Sequence, residues 1–267
     1  MGFFLPSLSA CQLFDAGTIT VLPLESEEVV EQNLYSDWTA INSAQSAHLK
    51  VFEIKDKTGN LKEKINILSL NKNRFYFDIK ENTELPLLVG AWQAENPESV
   101  AVINGSFFDE NYQATGGLWL KGQGKIVSLT GKNTYDGAVI IDENGNLNLN
   151  YLPQNNLNLK KEESVLVNFP MLINNGKYLL KENGGESARR SLIGEDEQFV
   201  YLINSTANYF TLYEMMIWVG QNIDGIENLL NLDGGSSAGL SVSGDLIQWQ
   251  NNSFVSVPNV LLVYEKK

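Results

Sequence analysis

Four short segments concentrate the residues able to do chemistry. Near the C-terminal end the apolar run Leu229-Leu230-Asn231-Leu232 stops on Asp233, followed by Gly234, Gly235, Ser236 and Ser237. Consecutive glycines let backbone N–H groups turn toward a ligand, and such nests hold anionic oxygens. The plainer alternative is a strand ending in a tight turn whose backbone Asp233 bonds. The same stretch, Gly235-Ser236-Ser237-Ala238-Gly239, satisfies G-x-S-x-G, so Ser237 could be the nucleophile of a serine esterase. That reading needs a base. The only histidine, His48, lies far upstream, and no lysine stands three residues after Ser237.

The second segment is Val102-Ile103-Asn104-Gly105-Ser106-Phe107-Phe108-Asp109. Aromatic rings beside Asn and Asp suit a sugar: the rings stack on pyranose C–H faces and the amides bind hydroxyls. A hairpin turn with core phenylalanines is the alternative. The third, Ala188-Arg189-Arg190-Ser191, places two of the few arginines together. A guanidinium fork binds phosphate or carboxylate bidentately, unless the pair only neutralises Glu186, Glu195 or Asp196. The fourth is Thr211-Leu212-Tyr213-Glu214, where a capping box already accounts for Glu214.

Composition narrows the chemistry. The 267 residues carry 19 Lys+Arg against 32 Asp+Glu, a net charge of −13, with one Cys and one His. One cysteine excludes an intramolecular disulfide and a zinc ribbon, and one histidine excludes His-rich metal clusters. Nucleic acid is excluded as a partner, because binding it needs a cationic surface. No nucleotide-binding glycine motif and no EF-hand spacing occurs, so the expectation is no cofactor and no metal. Carboxylates, amides, hydroxyls and a few arginines remain as tools.

The elements that must position these residues are mostly strands. Residues 51–54, 64–68, 75–77, 100–103, 117–120, 138–141, 165–167, 171–173 and 199–203 read as short apolar strands between Asn, Lys and Gly turns. Leu85 to Glu95 predicts a helix with Pro86 in its first turn. Leu212, Met215, Met216 and Val219 form one apolar helical face after the capping box, with Gly220 as the expected stop. Without regular βαβ alternation the expected class is α+β: one domain on a mainly mixed or antiparallel β-sheet with a few packed helices. That domain spans residues 33–267, after a tail and acidic linker over 1–32. In the tail, Leu8-Ser9-Ala10-Cys11 has the pattern of a bacterial lipobox, although a basic n-region is missing and Pro6 interrupts the apolar run. The expectation is an exported protein, periplasmic or at the cell surface, whose only membrane attachment would be a lipid on Cys11. An irregular tail with an incidental cysteine is the alternative.

Taken together and in order, the segments resemble the phosphodiester glycosidase family, which includes the catalytic domain of the lysosomal uncovering enzyme. The family's Asn-Gly-x-Phe-Phe-Asp strand end is similar to Asn104–Asp109, with Ser106 where Gly is usual. Gly117-Leu118, Phe169-Pro170-Met171-Leu172-Ile173, Arg190–Gly194 and Leu212–Met215 follow. Asn231–Ser237 is similar to the Asn-Leu-Asp-Gly-Gly-x-Ser signature, with Ser236 in place of a third glycine. No single motif is specific; six in the right order are, and they cover about residues 35 to 265.

The resemblance implies a hydrolase that cleaves a sugar's anomeric bond to a phosphodiester, releasing free sugar and a phosphomonoester, in exopolysaccharide or other cell-envelope carbohydrate metabolism. It assigns Arg190 and the Gly234–Ser237 backbone to phosphate. Asn104 and Asp109, with Gly105 and Phe107, would hold sugar or water, and Asp233 or Glu214 would be the essential carboxylate, as acid-base or nucleophile. The rival is a non-catalytic cell-envelope module that binds phosphosugars or wall glycan. Both Gly-to-Ser departures are expected to disturb the ligand's pose, since serine tolerates positive φ poorly.

Overall fold

A computed structural model describes residues 35–40, 47–126, 135–152, 159–244 and 248–267, with only the backbone of 35–40, 125 and 126. Cys11, the lipobox pattern and the expected 1–32 tail lie outside the described residues. The first strands in chain order are β1 (Tyr35–Ala40), β2 (Ala47–Lys55), β3 (Leu61–Asn71) and β4 (Phe75–Glu81), followed by helix α1 (Val89–Glu95). Next come β5 (Ala101–Asn104), β6 (Gly117–Leu120), β7 (Gln123–Ile126), β8 (Gly137–Ile141), β9 (Leu147–Tyr151), β10 (Ser164–Asn168) and β11 (Met171–Asn174). Then follow β12 (Lys177–Tyr178), β13 (Ser191–Glu195), β14 (Phe199–Ser205) and helix α2 (Leu212–Asn222). The chain finishes through β15 (Asn228–Asn231), a 3-10 turn at Gly235–Ser237, β16 (Leu240–Ser243), β17 (Gln248–Asn251) and β18 (Asn259–Glu265).

The strands form three sheets. One has eight strands in the order β1-β2-β3-β14-β13-β15-β11-β12; the others have five each, β7-β6-β10-β8-β9 and β17-β16-β5-β18-β4. Every pairing among the described strands is antiparallel. The fold is thus more β-rich than expected, and the mixed sheet is not observed. Parallel neighbours need crossovers of a dozen or more residues, whereas β2 and β3, or β13 and β14, are joined by tight turns.

Burial follows each strand's place. In β4, Phe75, Phe77 and Ile79 are buried with less buried residues between them, the period-two pattern of a half-covered strand. By contrast, β5, β11 and β13 are buried at every position. A continuous core joins the sheets: Leu68 and Ile193 from the first, Ile103 and Val263 from the β5 sheet, Val139 and Leu166 from the β10 sheet.

The helices cover outer faces. Met215, Met216, Trp218 and Val219 of α2 pack with Phe52, Ile65 and Leu172, and the Trp218 ring meets Phe52 edge-on at 5.1 Å. The capping box forms: Thr211 Oγ1 accepts the Glu214 N–H at 3.2 Å and Glu214 Oε2 accepts the Thr211 N–H at 2.9 Å. The helix continues past Gly220 to Asn222. Glycine there is no stop; a Cβ would collide with Tyr178 Oη. Helix α1 is shorter than expected, starting at Val89 rather than Leu85, because Leu87 exchanges backbone hydrogen bonds with Val257 and holds the preceding segment extended.

Candidate functional site

The site forms where β5 and β15 end side by side. Asn104 closes β5 and is fully buried. Its Nδ2 donates to the Asp233 carbonyl at 2.8 Å, and its Oδ1 accepts the Gly239 N–H at 3.0 Å. The Asp233 N–H in turn donates to the Gly105 carbonyl at 3.1 Å. One amide thus ties both ends of the Asp233–Gly239 loop to the strand beside it.

Gly105 is required by space. A Cβ would collide with Asn259 Oδ1 and come within 3.0 Å of the Asn259 carbonyl, which accepts the Gly105 N–H at 3.0 Å. The same Oδ1 accepts the Ser106 N–H at 2.7 Å. Gly105→Ala should therefore lower unfolding stability by about 2–3 kcal/mol, as overpacking of a tight site does; urea midpoints measure it, and an unchanged midpoint would contradict the close approach. Gly235 is needed for conformation, with φ +60°. Ser106 and Ser236 are not among the positive-φ residues, so the two Gly-to-Ser departures carry none of the backbone strain expected of them.

Asp233 is partly buried, and desolvation pushes its carboxyl up to about 6, against the opposing pull of hydrogen bonds from the Ser237 hydroxyl and the Gly234 N–H. Arg190 lies against the next residue, Gly234: the guanidinium Nη1 is 3.7 Å from where a Gly234 Cβ would be, and Nη2 donates to the Glu186 carbonyl at 2.6 Å. Its Nε is buried with no partner, and burial disfavours its charged form. An anion bound here would offset that cost. The glycine turn is less open than a nest. The Gly234, Gly235 and Ser237 N–H groups are spent on Asp233, the Arg189 carbonyl and the Gly234 carbonyl, which leaves that of Ser236.

An aromatic and amide wall is tied to the strand that leads into Asp233. Asn231 Nδ2 donates to the Phe169 carbonyl at 2.9 Å. The Phe169 ring packs against Phe107 at 5.0 Å and meets the edge of Tyr135 at 5.1 Å. Asn168 is fully buried with both side-chain polar atoms unpartnered, and Asn231 Oδ1 is unpartnered too. Asp136, raised by burial, accepts the Met171 N–H at 2.7 Å. Sequence reasoning passed over Asp136, Asn168 and Asn259, because each becomes informative only through a partner far along the chain.

Other expected residues lie elsewhere. Asp109 is exposed and its Oδ1 accepts the N–H groups of Asn111 and Gln113, so it shapes its own turn. Both Glu214 oxygens are engaged at the helix cap, Oε1 accepting Asn183 Nδ2 at 3.2 Å. Neither hydrogen-bonds to the Asp233 cluster. Ser237 is buried against Asp233, while His48 stands in β2, four strands from β15 in the sheet, about 19 Å at the usual strand spacing. The serine-esterase arrangement is therefore not assembled. Among the described residues no group of three His, Cys, Asp or Glu side chains could hold a metal ion.

Residues 97–264, which contain the whole of this cluster, match the phosphodiester glycosidase family. The chain belongs to that family. Two solved structures resemble this phosphodiester glycosidase in fold. The catalytic domain of zebrafish N-acetylglucosamine-1-phosphodiester alpha-N-acetylglucosaminidase, auto-inhibited by its pro-peptide, aligns with a TM-score of 0.60 and 16% identity over 89% of each chain. A hypothetical protein from Synechocystis aligns with a TM-score of 0.54 and 13% identity, over 88% of this chain and 68% of its own. None of the curated protein sequences matches this chain.

Proposed function

We propose that this phosphodiester glycosidase hydrolyses the bond between a sugar's anomeric carbon and a phosphodiester oxygen, releasing free sugar and a phosphomonoester. The observation that carries the reading is the Asp233 carboxyl, raised to about 6 by burial, in a loop whose Gly234 lies against Arg190 and whose Asn231 is tied to the Phe169 wall. A carboxylate titrating near neutrality is suited to take a proton in the transition state. Water attacks the anomeric carbon while the C–O bond breaks. The bonding pair leaves on the phosphate oxygen, and the water's proton passes to Asp233 and on to solvent. Phosphate leaves readily, so no histidine acid is needed. Arg190 neutralises the charge that grows on it, and Phe107 and Phe169 face the sugar ring.

The zebrafish enzyme's name points to N-acetylglucosamine 1-phosphodiesters as the first substrates to try. Free sugar and phosphomonoester should appear in equal amounts, measured separately over a panel of sugar-1-phosphodiesters. Release of sugar 1-phosphate instead would mean cleavage on the other side of phosphorus. Tight binding without product would make the protein a phosphosugar-binding module.

A further inference from the structure

Beyond the Asp233 turn the chain returns to the site in an irregular segment between β17 and β18. There the Phe254 N–H donates to the Ser236 carbonyl at 2.7 Å, and the Val255 N–H reaches the same oxygen at 3.3 Å. The Phe254 ring is 73% exposed, yet it is held. The Arg189 guanidinium carbon lies 3.9 Å from its centroid, and Arg189, only 2% exposed, is itself anchored by Nη2 donating to the Asn252 carbonyl at 2.9 Å. One ring face is therefore backed by a buried cation and the other is left open. A ring fixed before binding loses little freedom when something stacks on it.

Position gives the ring its meaning. Phe169 is tied to Asn231, which leads into Asp233, whereas Phe254 is tied to Ser236, which follows it beyond Gly234, the glycine that Arg190 lies against. A substrate laid sugar, then phosphate, then aglycone has the same order. Resting on the phosphodiester reading above, we propose that Phe254, with Val255 beside it, is the platform for the aglycone, selecting alcohols that carry a ring with a flat or C–H face.

The test compares methyl and benzyl diesters of one sugar 1-phosphate. The breaking bond lies on the sugar side of phosphorus, so the change of alcohol barely alters the leaving group and reads recognition instead. Phe254→Ala should lower the benzyl-to-methyl ratio of kcat/KM about tenfold, chiefly through KM, the size of one aromatic stacking contact. Phe254→Trp should keep the ratio within about twofold of the original, since the face is retained. A ratio unmoved by Phe254→Ala overturns the platform. If the unaltered protein cleaves neither diester, the glycosidase reading has failed, and the same ratio taken from calorimetric Kd values decides the platform on its own.

Discussion

Asp233→Asn is expected to lower kcat on a sugar-1-phosphodiester by about a thousandfold while making the protein more stable above pH 6. The two effects share a cause. Desolvation raises the carboxyl from its ordinary 3.8 to about 6 in the folded state, so the fold disfavours the charge that the proposed reaction requires. Below about pH 4 the group is protonated whether the chain is folded or not, and the variant and the parent should melt alike. Between about 4 and 6 the unfolded chain releases its proton while the folded one keeps it, so the parent loses stability as pH rises. Above about 6 the loss levels off at roughly 1–3 kcal/mol, the worth of a two-unit shift discounted for partial exposure. Asparagine can still accept the Ser237 hydrogen bond but cannot ionise, so it escapes that loss. Denaturant midpoints at pH 4 and pH 7.5, with kcat on the same preparations, measure both effects. Turnover near the parent's rate would remove Asp233 from the reaction, and an equal stability gain at both pH values would refute the desolvated carboxylate.

Arg190→Ala is expected to raise KM for the diester by about 10- to 100-fold, the range of a lost charge-assisted hydrogen bond, with a smaller fall in kcat. The protein's net charge of −13 opposes an anionic substrate, so a local cation has to supply the attraction. Arg190 is placed for that, with one nitrogen against Gly234 and another fixed on the Glu186 carbonyl. Lysine at 190 should recover only part of the loss, because a point charge cannot reproduce the planar fork. A neutral aryl glycoside of the same sugar separates the roles: if Arg190 holds phosphate, its hydrolysis is far less affected. Equal losses on both substrates would assign Arg190 to the sugar or to the fold.

The legible parts of the molecule are the local ones. The α2 capping box lies within four consecutive residues, and an apolar run halted by Asp233 and two glycines marks a strand end without reference to anything else. Asn104 stood out for the same reason. Where a distant segment decides the conformation, the sequence pattern misleads. Residues 85–88 carry a helix start signal, but a bridge from Leu87 to Val257 keeps the helix from starting before Val89. Gly220 reads as a terminator until Tyr178 is seen against it. Phe254 has no neighbours in sequence that mark it; its role rests on Arg189 and Ser236. Glu214 shows both cases at once: the capping box accounts for its bond to Thr211, and a distant Asn183 donates to its other oxygen.

The bonds that seat Asn104 and Ser106 span 129, 135 and 153 residues. Loops that long close slowly, and contacts of this separation place a fold among the slower ones. A chain emerging from the ribosome cannot complete the site until Asn259 has been added and β18 has docked. A chain that stops short of Asn259 carries Asp233, Arg189 and Arg190 but lacks the groups that hold Gly105 and Ser106 in place.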